Sequence, residues 1–104
     1  MRVLIVCGAG ASSGFIAQRM RKAAKKQGVD LQVDARSETE LEENLDGTDV
    51  LLVGPHLKYM IDEVTATAAK KGVKATLIPQ KIYGSLDGEA AFQLAQELGE
   101  SPAV

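Results

Sequence analysis

Cys7 is the only cysteine of the chain, and it stands directly ahead of Gly8-Ala9-Gly10-Ala11-Ser12-Ser13-Gly14. Three glycines and two alanines leave that stretch with an almost bare backbone, so its amides can converge on a small oxyanion. Ser12 and Ser13 can cap a following helix or donate to bound oxygens, and the helix itself adds its positive N-terminal end. A phosphate-sized dianion fits this description better than an apolar ligand does. Helix N-termini favour the ionised form of a neighbouring cysteine. A thiolate in an anion-binding loop is a nucleophile aimed at phosphorus.

Related chemistries are weakened by what the loop lacks. Gly8-Ala9-Gly10 is followed by Ala11-Ser12-Ser13, which matches neither G-x-x-x-x-G-K-[ST] nor G-x-G-x-x-G. Cysteine-dependent phosphatases follow their cysteine with an arginine at the end of the loop; here that position is Ser13, and no arginine occurs from Val3 to Gln18. The loop also holds no carboxylic acid to protonate a leaving group. Such a site should accept a phosphoryl group without hydrolysing it quickly, which favours a carrier over a hydrolase. A phosphatase-like hydrolase and a non-catalytic flavin or nucleotide module stay open as alternatives, the latter disfavoured by only two Tyr and two Phe to stack on a ring system. A buried structural cysteine beside a close-packed turn is the plainer reading.

The loop needs elements to hold it. Val3, Leu4, Ile5 and Val6 are consecutively apolar, as are Val50, Leu51, Leu52 and Val53; both runs suit strands covered on both faces. Between them Ile16, Met20, Ala23 and Ala24 recur at helical spacing, predicting an amphipathic helix that ends before Gly28. Leu31, Val33 and Ala35 alternate with polar residues as an edge strand would. Ser37-Glu38-Thr39-Glu40 has capping-box form, and Leu41 and Leu45 then mark a short helix stopped at Gly47. Leu57, Met60, Ile61, Val64 and Ala68 give a helix started near Pro55 and closed by Gly72. A fourth strand runs from Lys74 to Ile78, and a last helix with Ala91, Leu94, Ala95 and Leu98 on its face begins near Asp87. The tail from Glu100 through Ser101 and Pro102 looks loosely held.

The order β-α-β-α-β-α-β-α predicts an α/β fold: a four-stranded parallel sheet, order 2-1-3-4, with helices on both faces. Ligands of such sheets bind beyond the carboxyl ends of the strands, at the switch point between the first and third. Three segments arrive there: Cys7 to Gly14, Gly54-Pro55-His56, and Pro79 to Asp87. His56, the only imidazole, and Tyr83 are therefore candidates to support the bound phosphoryl group from behind the loop, with surface exposure and packing as their plainer roles. Asp87 reads as a helix cap rather than an acid. Arg19, Arg21, Lys22, Lys25 and Lys26 give the first helix a basic outer side, either solvated or a landing patch for an acidic partner. Phe15, Arg19 and Lys22 are the candidates for partner docking.

Composition bounds the rest. The 104 residues suit a single domain spanning the whole chain, and a net charge of −2 argues against nucleic acid as a partner. One cysteine forms no internal disulfide, and with one histidine it makes no ordinary structural zinc site, so neither metal nor cofactor is expected. The N-terminal apolar run from Val3 to Cys7 is too short for a signal peptide or a membrane span. A cytoplasmic chain without membrane insertion is expected. No exposed heptad or large apolar patch argues for a dimer, so a monomer is expected.

The sequence resembles the IIB components of the lactose/cellobiose (chitobiose) family of the phosphoenolpyruvate-dependent sugar phosphotransferase system. The resemblance lies in Cys7-x-x-Gly10-x-Ser12-Ser13-Gly14 after an apolar strand, in Gly54-Pro55 with Tyr59-Met60, and in Tyr83-Gly84 with Asp87-Gly88. Ala11 and Gly14 depart from the Met and Ser common in cellobiose-type loops. What the resemblance implies is a phosphocarrier. Cys7 would take a phosphoryl group from a phosphohistidine of a IIA partner, forming phosphocysteine. It would then pass the group to a sugar held by a membrane IIC partner. Loop amides from Gly8 to Gly14, through Ala9, Gly10 and Ala11, with the hydroxyls of Ser12 and Ser13, would hold the phosphoryl oxygens.

Overall fold

Val3 to Val6 and Val50 to Val53 are buried without exception, because each of these strands is covered on both faces. The computed structural model describes residues 1–7 and 11–100, and in the second segment the side chains of residues 14–99. Strands β1 (Arg2–Cys7), β2 (Gln32–Ser37), β3 (Val50–Val53) and β4 (Lys74–Leu77) form one parallel sheet in the order β2-β1-β3-β4. That is the predicted order, and it follows from hydrophobicity. The two uniformly apolar strands take the centre, and the more polar β2 and β4 take the edges.

Helices α1 (Ala11–Lys26), α2 (Leu41–Asn44), α3 (Ile61–Lys70), α4 (Gln80–Gly84) and α5 (Gly88–Glu100) cover the sheet. The alternation of strand side chains divides the core in two. Val3, Ile5, Val50 and Leu52 pack with Ile16 and Met20 of α1 and with Ala91, Phe92 and Ala95 of α5. Leu4, Val6, Leu51 and Val53 pack instead with Leu41 of α2 and with Val64 and Ala68 of α3. Each fully buried aliphatic side chain contributes about 1.5–3 kcal/mol, so the two central strands anchor both layers.

Local signals end and start the helices as expected. α1 closes at Gly28 (φ +71°), where Val29 N donates to Ala24 O at 2.9 Å and Gly28 N to Lys25 O at 3.1 Å. α3 closes identically at Gly72 (φ +72°), with Val73 N on Ala68 O and Gly72 N on Ala69 O. Both turns need a left-handed residue, which glycine supplies without a steric penalty. Ser37 and Glu40 form the predicted capping box, here around a single 3-10 turn that leads into α2.

Two elements differ from the sequence reading. The third helix does not begin near Pro55: residues Pro55–Met60 form 3-10 turns broken at Leu57 (φ −102°, ψ 20°), and α3 starts only at Ile61. The break lets Leu57 join the α3-side core while Tyr59 stays 81% exposed. The segment after Pro79, read as a connection, contains the five-residue helix α4. The expected loose tail at Ser101 and Pro102 lies outside the described residues.

Candidate active site

Cys7 is the last residue of β1, in register with Ser37 of β2. It follows Val3 and Ile5 in the alternation that faces α1 and α5, and it is 1% exposed. Its strand has neighbours on both sides, β2 and β3, so the end of β1 is the switch point of the sheet. Ala11, Ser12, Ser13 and Gly14 make up the first turn of α1, which places a helix N-terminus close behind the cysteine in the chain. Gly8, Ala9 and Gly10, and the side chains of Ser12 and Ser13, lie outside the described residues.

The second arriving segment closes on Cys7 through Gly54. Its N–H donates to Val6 O at 2.9 Å, carrying the β1–β3 ladder one step beyond β3. A Cβ at position 54 would lie 3.1 Å from the Cys7 Cβ and 3.4 Å from Val6 O, so only glycine permits this approach without displacement. The same position faces the third segment, because Tyr83 Cε2 would be 3.6 Å from that Cβ. Tyr83 itself is buried, 6% exposed, and its ring meets the exposed His56 ring edge-on, with centroids 5.1 Å apart and planes at 71°. Cys7, Gly54, His56 and Tyr83 thus form one continuous set at the carboxyl end of the sheet.

The remaining candidates separate. Asp87 accepts from Ala90 N through Oδ1 at 3.0 Å, so it caps α5 and its carboxylate is engaged there. Phe15 is 57% exposed on the first turns of α1. Arg21 donates to the Val33 carbonyl of β2. Arg19 donates to the Leu86 carbonyl at 2.9 Å. Lys22 and Lys26 line a groove of about 530 Å³ between α1 and the start of α5. The basic side of α1 is therefore not uniform: part of it braces the fold. The sequence brought Gly54 and the Leu86–Gly88 junction to the site end of the sheet without assigning either a role; the close approach of Gly54 to Cys7 and the grip of Arg19 on Leu86 are added by the structure. For Gly54 the available signal is a glycine placed immediately after a buried strand at the switch point.

An open parallel sheet with its cysteine at the switch point, a helix that begins four residues later in the chain, and Gly54 held against the cysteine define an α/β protein of the doubly wound class. Within that class, residues 2–94 match the model of the family described as "PTS system, Lactose/Cellobiose specific IIB subunit", and the chain belongs to this family. It is a phosphotransferase component of sugar transport. It is 33% identical to the galactose-specific EIIB component of Lactococcus lactis subsp. cremoris and to the cellobiose-specific EIIB component of Lactococcus lactis subsp. lactis, each time over 92% of this chain and 94% of the relative.

Among solved structures it resembles the cellobiose-specific IIB component of Borrelia burgdorferi, with TM-score 0.80 and 32% identity over 100% of this chain and 96% of that one. The lactose-specific IIB domain of Streptococcus pneumoniae shares the fold at TM-score 0.85 and 17% identity, covering 94% of this chain and 96% of that one. A lactose-specific EIICB component of Streptococcus mutans, 28% identical over 91% of this chain, is a longer protein of which the match spans 17%. Among the described residues no helix is long and apolar enough to cross a membrane.

Proposed function

We propose that this chain is a phosphocarrier in which Cys7 is the phosphoryl acceptor. Its sulfur attacks the phosphorus of a phosphohistidine on a IIA partner: the S–P bond forms, the P–N bond breaks, and the electron pair returns to the imidazole. In the second step a sugar hydroxyl oxygen attacks the same phosphorus, the S–P bond breaks, and the leaving thiolate or solvent takes up the hydroxyl proton. Such transfer is mostly positioning and charge stabilisation, so a site without a base or a metal is chemically adequate. The observation that carries the reading is the position of Cys7 at the end of β1, with the first turn of α1 beginning at Ala11.

In this reading the backbone amides of Gly8 to Gly14 and the hydroxyls of Ser12 and Ser13 hold the phosphoryl oxygens. His56 and Tyr83 flank them from the β3 and β4 sides. Phe15 and Lys22 belong to the surface that receives partners. The acceptor sugar is a β-linked disaccharide such as cellobiose, chitobiose or lactose, presented by a membrane IIC partner, and the carrier works as a cytoplasmic monomer of one domain.

Incubation with a phosphorylated IIA partner, followed by intact-mass measurement, tests the acceptor. Wild type is expected to gain one phosphoryl group and Cys7→Ala none; equal labelling of the two would overturn the assignment. Docking is tested by Lys22→Gln together with Lys26→Gln, which should slow labelling at low salt and flatten its salt dependence.

A further inference from the structure

Arg19 stands in the basic row of α1, where a long cation would ordinarily face solvent or a partner. Its guanidinium is committed elsewhere. Nη1 donates to the carbonyl of Leu86, 67 residues away in sequence, at 2.9 Å. At the same place Gly88, the first residue of α5, lies against the Arg19 backbone. A Cβ there would stand 2.2 Å from the Arg19 Cβ and 2.6 Å from its carbonyl carbon. Arg19 therefore grips the junction between α4 and α5 with both backbone and side chain.

That junction is one the chain would not adopt on local grounds. Leu86 N donates to Tyr83 O at 3.2 Å and Asp87 N to Ile82 O at 3.1 Å, the bond pair that closes a helix on a left-handed residue. Here the left-handed residue is a leucine, at φ +53°, and among the described residues it is the one non-glycine with positive φ. A non-glycine residue persists in this conformation when its surroundings over-determine it. Leu86 packs partly buried against the α1–α5 core, and Arg19 satisfies its carbonyl.

The turn so held carries Tyr83 directly upstream. One side of the Tyr83 ring faces Gly54, which in turn abuts Cys7, and the ring also meets His56. We propose that Arg19 is a positioning residue for the reaction at Cys7: by pinning the Leu86 turn it fixes Tyr83, and through Tyr83 it fixes Gly54 against Cys7 and orients His56. The proposal rests on Cys7 as the phosphoryl acceptor. It separates Arg19 from Lys22, its neighbour one turn along α1, whose effect on partners would be one of charge.

His56 is the only histidine, so its imidazole C–H resonances are unambiguous in an NMR spectrum of the full chain, and they sense the Tyr83 ring current. A Tyr83→Leu variant defines their position without that ring. Arg19→Met should displace the signals most of the way to the Tyr83→Leu position, whereas Lys22→Met should leave them where they are in wild type. In phosphoryl transfer from the IIA partner, Arg19→Met should lower kcat about fivefold or more and change KM by less than about twofold.

Arg19→Lys keeps the charge and loses the planar fork, and it serves if Arg19→Met does not fold. Positioning requires a partial displacement of the His56 signals and a lower kcat; a docking charge requires neither. The proposal is overturned by unmoved His56 signals in a folded Arg19→Met, by a raised KM at constant kcat, or by wild-type behaviour of Arg19→Lys. The spectroscopic arm needs no phosphoryl donor. Labelling of Cys7→Ala would defeat the acceptor assignment, while the His56 signals would still judge Arg19.

Discussion

Three turns in this molecule share one hydrogen-bonding scheme, and they stand at opposite ends of the sheet. At the amino end, Gly28 and Gly72 close α1 and α3 in left-handed conformations, with nothing within 4 Å of where a Cβ would be. At the carboxyl end, Leu86 closes α4 with the same pair of backbone bonds, but as a residue for which that conformation costs about 1–2 kcal/mol. The glycine turns are self-sufficient. The leucine turn depends on Arg19, on the contact between Gly88 and α1, and on its own packing into the core. The two amino-end turns are thus set by local chemistry, and the turn at the end that carries Cys7 is set by contacts between distant segments.

The contrast can be broken hardest at Gly88. Alanine there would place a methyl 2.2 Å from the Arg19 Cβ and against its backbone, which cannot swing aside as a side-chain tip would. Gly88→Ala should cost about 3 kcal/mol, read as a lower urea midpoint at unchanged slope. A loss below about 1 kcal/mol would show that the junction yields and that strain is not held there.

Gly54→Ala tests the site itself. Its methyl, 3.1 Å from the Cys7 Cβ, should cost about 1 kcal/mol of stability but slow phosphoryl transfer to Cys7 by about tenfold, because a small misplacement of reacting atoms is expensive. Equal losses in stability and rate would argue against a positioning role for this wall. At the amino end, Gly28→Ala and Gly72→Ala should each cost about 1 kcal/mol from backbone conformation alone, with transfer rates unchanged. Their equality is the check, since both positions are sterically open and share nearly the same φ.

The smallest effect is expected from Leu86→Gly. Relief of the left-handed conformation opposes the lost side-chain burial and the greater freedom of the unfolded chain, so stability should stay within about 1 kcal/mol of wild type. Thermal unfolding measures it. A loss as large as that of Gly88→Ala would mean that the leucine packs in an unstrained turn.

Much of this molecule was legible from residue types because the governing forces are local or periodic. The uniformly apolar runs Val3–Val6 and Val50–Val53 named the central strands, since burial on both faces tolerates no polar residue. Gly28, Gly72, the capping box at Ser37 and Glu40, and Asp87 ahead of α5 marked helix boundaries through interactions spanning five residues or fewer. The carboxyl-end segments that meet Cys7 followed from the strand order. The delayed start of α3 did not, because the break at Leu57 answers to the core beneath it rather than to Pro55. Nor did α4, whose five residues are too few for a helical period to show.

The amino-acid sequence by itself determined a parallel sheet in the order 2-1-3-4, its lone thiol at the switch point, and membership of a phosphotransferase family, because strand hydrophobicity and loop composition are properties of contiguous residues. Only the tertiary structure decided that Gly54 lies between Cys7 and the Tyr83 ring, that His56 meets that ring, and that Arg19 is spent on the Leu86 turn. Those are contacts across tens of residues, set by how two packed layers bring their loops together. No spacing along the chain encodes them.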